Sequence, residues 1–179
     1  DQNGNIHEAV VTDNDINSNK FRYIGGSYSS SLEEMLSINL YEDSNIRRPD
    51  IGFRLCASFD IGQFINNPED EFVFVDDINN AQDDKNLGKV DYSYAISKYL
   101  VTNKQYVEFL NDNKSFVEKY QLWENMGDSL QGIYYDGQSY LCKTNMEQKP
   151  VNYLIITNIL RYINWKYNNY YHGKGHGIL

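Results

Sequence analysis

Residues 91–111 read DYSYAISKYLVTNKQYVEFLN, and our fold prediction depends mainly on this stretch. In its first half, residues 92–101, the alternation of side-chain types predicts a β-strand. Thr102 is a good helix N-cap, and Gln105 completes a capping box three residues later. Three apolar residues, Tyr106, Phe109 and Leu110, then give the helix a buried face before it ends at Asn111. The stretch therefore predicts a strand that leads directly into a helix.

The flanking sequence adds further short elements. Ser31 and Thr157 are predicted to cap two more helices, and the helix at Ser31 would place Leu32, Met35, Leu36 and Leu40 on one face. Asp136-Gly137 predicts a tight hairpin turn within residues 133–142. Other patterns predict strands at 21–24, 51–57, 71–75 and 151–156 and a loop over 41–50. This pattern predicts an α+β fold.

Composition and charge exclude several classes of protein. The chain has 179 residues, with 25 acidic against 16 basic side chains and a net charge of −9. Such a surface would repel a phosphate backbone, so we expect no nucleic-acid partner. Two cysteines are too few for a disulfide-dense scaffold. The longest apolar run, Leu154–Ile156, is far too short for a membrane span.

Two segments resemble the formylglycine-generating enzyme (sulfatase-modifying factor) family. Residues 91–111 resemble its opening motif, Y-x-I-x-K-Y-E-V-T-N-x-Q-Y-x-x-F-L-N, with Leu100 in place of the usual Glu. Residues 149–165 resemble the later motif P-V-x-x-V-S-W-x-D-A-x-R-F-x-N-W. In that segment Ile156 and Asn158 stand where the family tends to have Trp and Asp.

The first third of the chain resembles the end of such a domain. Residues 1–8, DQNGNIHE, resemble N/D-x-x-G-N-V-W-E-W, residues 25–28 match G-G-S-Y, and residues 51–54 contain the closing G-F-R. The resemblance therefore implies a closing half at 1–58, a linker at 59–70 and an opening half at 71–179. It also implies an α+β, loop-rich formylglycine-generating-enzyme-like (C-type-lectin-like) fold, incomplete or permuted.

Two arrangements fit this reversed order. The chain could span the end of one repeat and the start of the next in a tandem protein, or it could be a permuted and shortened single domain. The family's middle block, R-L-P-T-E-A-E-W-E-Y, appears nowhere, and the first residue is Asp rather than Met. Both points favour the tandem fragment. Hydrogen bonds between residues 51–57 and 92–101 are expected only of the permuted domain.

The cysteines that the resemblance assigns to catalysis are missing. Oxidases of the family carry them two and seven residues after the Ser of G-G-S-Y, and here those places fall near Ser29-Ser30 and Glu34-Met35. Without a thiolate pair we expect no copper site and no redox nucleophile. We therefore predict a non-catalytic binding or structural module for an unknown protein or carbohydrate ligand. The alternative is part of a metal-dependent oxidase whose catalytic block lies outside this chain.

Residues 1–8 also resemble the family's calcium loop. The resemblance assigns side-chain oxygens to Asp1 and Glu8 and main-chain carbonyls to Gly4 and Ile6. Hard oxygen donors suit calcium, but four ligands fall short of its usual six to eight. A polar loop held by Asn and Gly turns is the alternative. Spacing predicts no Ser-His-Asp constellation in this chain.

Overall fold

A computed structural model describes residues 3–10, 20–31, 40–43, 45–57, 72–78, 80–81 and 89–171. Within these ranges the chain is a small mixed α+β protein with three helices and eleven short strands in four sheets. It forms two compact units, which do not follow the predicted halves. The larger unit combines Asp1–Phe53 with Val101–Leu179, and the smaller unit is Arg54–Leu100. The predicted linker, 59–70, lies outside the described residues.

The main sheet of the larger unit comes from the first third of the chain. Its four strands lie in the order β5-β3-β2-β6. The β2–β3 and β3–β5 pairs are antiparallel, whereas β2 and β6 run parallel. Two shorter strands, β1 and β4, pair separately in parallel. The strand bounds are β1 Asn3–Asn5, β2 His7–Val10, β3 Lys20–Ile24, β4 Gly26–Ser27, β5 Leu40–Asp43 and β6 Ile51–Gly52.

The second half of the larger unit supplies the helices and a hairpin. Helix α1 is Asn103–Asp112, α2 is Lys114–Tyr120 and α3 is Ile156–Tyr171. The predicted capping box is confirmed, since Gln105 N–H donates to Thr102 Oγ1 and Thr102 N–H donates to Gln105 Oε1. The predicted hairpin is confirmed as well. Its strands are β10 Ile133–Tyr135 and β11 Tyr140–Cys142.

Aromatic side chains from both ends of the sequence share the core of the larger unit. The Tyr162 ring lies 5.5 Å from Phe53 and 5.7 Å from Tyr106, measured between centroids. Phe109 lies 5.4 Å from Trp165. Phe53 follows β6, whereas the other rings lie on α1 and α3, so residues far apart in sequence bury apolar area together. The Val101 N–H donates to the Phe53 carbonyl at 3.0 Å.

The smaller unit contains one three-stranded antiparallel sheet. Its strands are β7 Cys56–Ala57, β8 Phe72–Val75 and β9 Tyr94–Ser97, in the order β7-β9-β8. Cys56 pairs with Ile96, and the Ser97 N–H donates to the Leu55 carbonyl at 2.8 Å. Residues 51–57 are therefore hydrogen-bonded to residues 92–101 in both units, in each case through atoms of that same unit.

Several predicted elements need correction. Leu40 opens strand β5 rather than closing a helix, and residues 32–39 of that predicted helix lie outside the described ranges. The predicted strand 51–57 divides into β6 and β7. The predicted strand 151–156 does not form. Tyr153 there adopts a positive φ of 58°, and the segment is hydrogen-bonded to loop carbonyls instead of a neighbouring strand.

Candidate functional site

The described residues of the predicted calcium loop lie in and between strands β1 and β2. Asp1 lies outside the described residues. Gly4 lies in β1, and the buried Ile6 lies between β1 and β2. Glu8 is half-buried in β2, where it pairs with Ile24 on one side and Gly52 on the other. Among the residues that the structure describes, no group of three His, Cys, Asp or Glu side chains could hold a metal ion. The calcium site therefore stays a prediction.

The structure instead buries a histidine at the centre of this region. His7 is 2% exposed, and its Nδ1 lies 2.7 Å from the Gly25 carbonyl oxygen. Because a carbonyl only accepts, Nδ1 carries a proton. The Ser30 hydroxyl lies 3.0 Å from the other ring nitrogen, Nε2. Tyr23 packs its ring against the imidazole at 4.8 Å, which fixes the ring from the side.

A buried carboxylate completes the cluster. Asp50 is 3% exposed and accepts hydrogen bonds from the Ser27 hydroxyl at 3.2 Å and the Ser29 hydroxyl at 3.0 Å. Arg48 donates to both carboxylate oxygens, at 2.9 and 2.8 Å. Burial raises the pKa of Asp50, but the hydrogen bonds from Arg48 and Ser29 outweigh it and hold the pKa below its usual value.

The members of this cluster, which we name the serine–histidine network, are His7, Ser27, Ser29, Ser30 and Asp50. The Ser27 and Ser29 hydroxyls both donate to Oδ2 of Asp50, and Ser30 Oγ lies 3.0 Å from Nε2 of His7. Ser30 Oγ also accepts the Ser27 main-chain N–H at 3.0 Å. Each hydroxyl is thus engaged within the protein, from the buried Ser27 to the half-buried Ser30 and the exposed Ser29. The arrangement is that of a structural network.

The thiols lie elsewhere. Cys56 is exposed on β7 in the smaller unit, and Cys142 is half-buried on β11 in the larger unit. Burial, with smaller contributions from Glu147 and Glu108, raises the pKa of Cys142, so this side chain is a thiol rather than a thiolate at neutral pH. Glu34 and Met35, the second predicted cysteine position, lie outside the described residues.

A second feature of the larger unit is a cleft beside the β10–β11 hairpin. Its volume is about 430 Å³, within the range of small-molecule sites. We name it the Trp123 cleft; the side chains that matter to its chemistry are Trp123, Asn125, Asp128, Tyr134, Tyr135 and Lys143. Trp123 packs edge-on against Tyr140, with ring centroids 5.4 Å apart. The cleft therefore combines aromatic surface with polar groups of both charges.

The loop that forms one wall of the cleft is held by internal hydrogen bonds. The buried Gln131 donates to the Glu124 carbonyl at 2.6 Å and accepts from the Met126 N–H at 3.0 Å. Lys143 reaches across from the hairpin and donates to the Asp128 carbonyl at 3.0 Å. These bonds fix the wall before any ligand arrives, which lowers the entropic cost of binding.

Asp128 is ionised under ordinary conditions. The Tyr153 hydroxyl donates to its carboxylate, and so does the Leu130 N–H at 2.7 Å. These two hydrogen bonds, the tyrosine's first, lower the pKa of Asp128. Burial and the same contact raise the pKa of Tyr153, so the phenol stays protonated and continues to donate. The cleft therefore offers a fixed carboxylate acceptor.

Sequence reasoning missed both features. The serine–histidine network draws on positions 7, 27–30 and 50, and no spacing rule connects them; only the resemblance at Gly25–Tyr28 pointed to part of it. The cleft falls in a stretch that reads as polar with interspersed aromatics. The usable signal was the pair of aromatic positions, Trp123 and Tyr134-Tyr135, on either side of Asn-, Asp- and Gly-rich turns.

No family model, curated protein or solved structure matches the chain. Within the described residues, no helix is both long and apolar enough to cross a membrane.

Proposed function

We propose that this chain is a non-catalytic, formylglycine-generating-enzyme-like (sulfatase-modifying-factor-like) domain that acts as a binding module. One observation carries the proposal. Where the resemblance requires the first catalytic cysteine, Ser29 and Ser30 are hydrogen-bonded to Asp50 and His7. A hydroxyl held in this way offers neither a soft copper ligand nor a redox nucleophile.

We further propose that the chain is a permuted single domain rather than a tandem fragment. Two contacts support this. Phe53, from the closing half, packs on Tyr162, from the opening half, and its carbonyl accepts the Val101 N–H. The Leu55 carbonyl accepts the Ser97 N–H in the smaller unit. Separate pieces of two repeats would have no reason to complete each other's sheets and core.

The ligand of this module is an unknown protein or a carbohydrate, and we propose that it binds at the Trp123 cleft. The cleft is preformed, partly apolar and lined by a few polar groups, which are the usual properties of a binding site. A calcium ion held by Asp1, Gly4, Ile6 and Glu8 belongs to the same proposal, as a structural ion. The oxidase alternative finds no supporting observation among the described residues.

Copper(I) binding tests the proposal. The full chain is mixed under reducing conditions with one equivalent of copper(I) held by a coloured chelator. We expect the chelator's absorbance to stay unchanged, because no thiolate pair is available in the network. A Cys56→Ser/Cys142→Ser variant serves as the control for adventitious thiol binding. Transfer of a full equivalent that this variant retains would contradict the proposal.

A further inference from the structure

We infer that the Trp123 cleft binds a neutral pyranose sugar; this inference rests on the proposed binding function and names its ligand class. Exposed aromatic residues at the cleft support this inference. Tyr134 and Tyr135 are 40% and 45% exposed on neighbouring positions of β10. Together with Trp123 they are the aromatic residues of the cleft lining. Exposed rings of this kind gain free energy by covering the apolar face of a ligand.

The cleft also offers hydrogen-bond donors and acceptors to a ligand. Asp128 is a fixed acceptor, Asn125 provides an amide and Lys143 an ammonium group. Donors and acceptors in a small space match the alternating hydroxyls of a sugar ring.

The charges of the cleft and of the whole chain favour a neutral ligand. The cleft lining includes one carboxylate and one ammonium group, and the whole chain carries a net charge of −9. A polyanion would meet repulsion from the chain, whereas the Asp128 carboxylate and the Lys143 ammonium group leave the cleft itself without net charge. A neutral ligand avoids that repulsion. Among neutral ligands, one with an apolar face and hydroxyl edges uses both kinds of lining side chain.

The loop that forms the cleft wall is held in place by hydrogen bonds. Gln131 and Lys143 hold the loop through three hydrogen bonds to main-chain atoms, at 2.6, 3.0 and 3.0 Å. A single sugar ring makes few contacts, so it binds measurably only where the site does not have to be ordered first. The wall around Asp128 meets this condition.

The inference is tested with the methyl glycosides of glucose, mannose, galactose and N-acetylglucosamine. Saturation-transfer NMR on the full chain reports binding directly. We expect at least one neutral glycoside to bind, and Tyr134→Ala to weaken it about tenfold. Tyr99→Ala removes a tyrosine that is 61% exposed in the smaller unit and is the matched control, with binding unchanged.

A second variant guards against misfolding of the first. Asp128→Asn keeps the side-chain shape and an acceptor for Tyr153 but removes the charge, and we expect severalfold weaker binding with an unchanged circular dichroism spectrum. Binding by none of the four glycosides, or binding unaffected by Tyr134→Ala and Asp128→Asn, would overturn the inference. The non-catalytic assignment would survive either result, since it fails only if the chain takes up copper(I) or oxidises a peptide.

Discussion

Asp50→Ala is expected to lower the free energy of unfolding by about 3 kcal/mol, because it removes the acceptor at the centre of the serine–histidine network. Two serine hydroxyls lose their carboxylate acceptor, and the half-buried Arg48 guanidinium loses both of its bonds to the carboxylate. Urea denaturation followed by circular dichroism measures the loss. Asp91→Ala, at an exposed position, should change stability by less than about 0.5 kcal/mol.

The effect of Asp50 has a defined pH dependence. Its pKa is lowered in the folded state, so its contribution is present above the pKa of the unfolded chain, about 4, and is lost as the pH falls through the folded value. The difference between wild type and Asp50→Ala should therefore be full at pH 7 and shrink below about pH 4. A difference that is small at pH 7, or that grows on acidification, would show that the network is not stabilising.

Gly132→Ala is expected to cost about 3 kcal/mol as well, for a steric reason. A methyl group at this position would collide with the Asn103 amide, whose Cγ would lie only 2.6 Å away. Asn103 is 1% exposed and donates to the carbonyls of Met146 and Lys149 at 2.8 and 3.1 Å. The amide therefore cannot move aside without breaking these bonds. Urea denaturation is again the measurement.

Gly127→Ala is the matched control for this steric effect. Gly127 has a φ of +64° and nothing within 4 Å of the added methyl, so only backbone strain of about 1 kcal/mol is expected. In an Asn103→Ala background the collision is absent, and the further cost of Gly132→Ala should fall well below its cost in wild type. Equal costs in the two backgrounds would contradict the proposed collision.

The elements that sequence predicted correctly are those with local causes. The capping box at Thr102 and Gln105 and the hairpin turn at Asp136-Gly137 depend on atoms a few residues apart. The strand predicted for the apolar run 151–156 does not form, because the backbone partners of this segment are far away in sequence. Tyr153 donates to the Arg48 carbonyl and Val151 donates to the Val101 carbonyl, which turns the chain away from an extended strand. No local pattern encodes that.

The candidate site was predicted even less completely, for a related reason. His7 stands where the resembling motif has a tryptophan, and its role depends on Ser30 and Asp50, which are 23 and 43 positions further along the chain. Serines and asparagines near turns are common in this sequence, so their composition does not single out the ones that meet in space. Only the fold brings them together.

Incubation with a cysteine-containing sulfatase peptide, copper and oxygen tests directly whether this chain is non-catalytic. The full chain is incubated with the peptide, and mass spectrometry measures conversion of its cysteine to formylglycine; an active formylglycine-generating oxidase in the same buffer is the positive control. Because Ser29 and Ser30 are held in the network by Asp50 and His7, we predict that the peptide mass stays unchanged. Formation of formylglycine above the enzyme-free background would contradict the account.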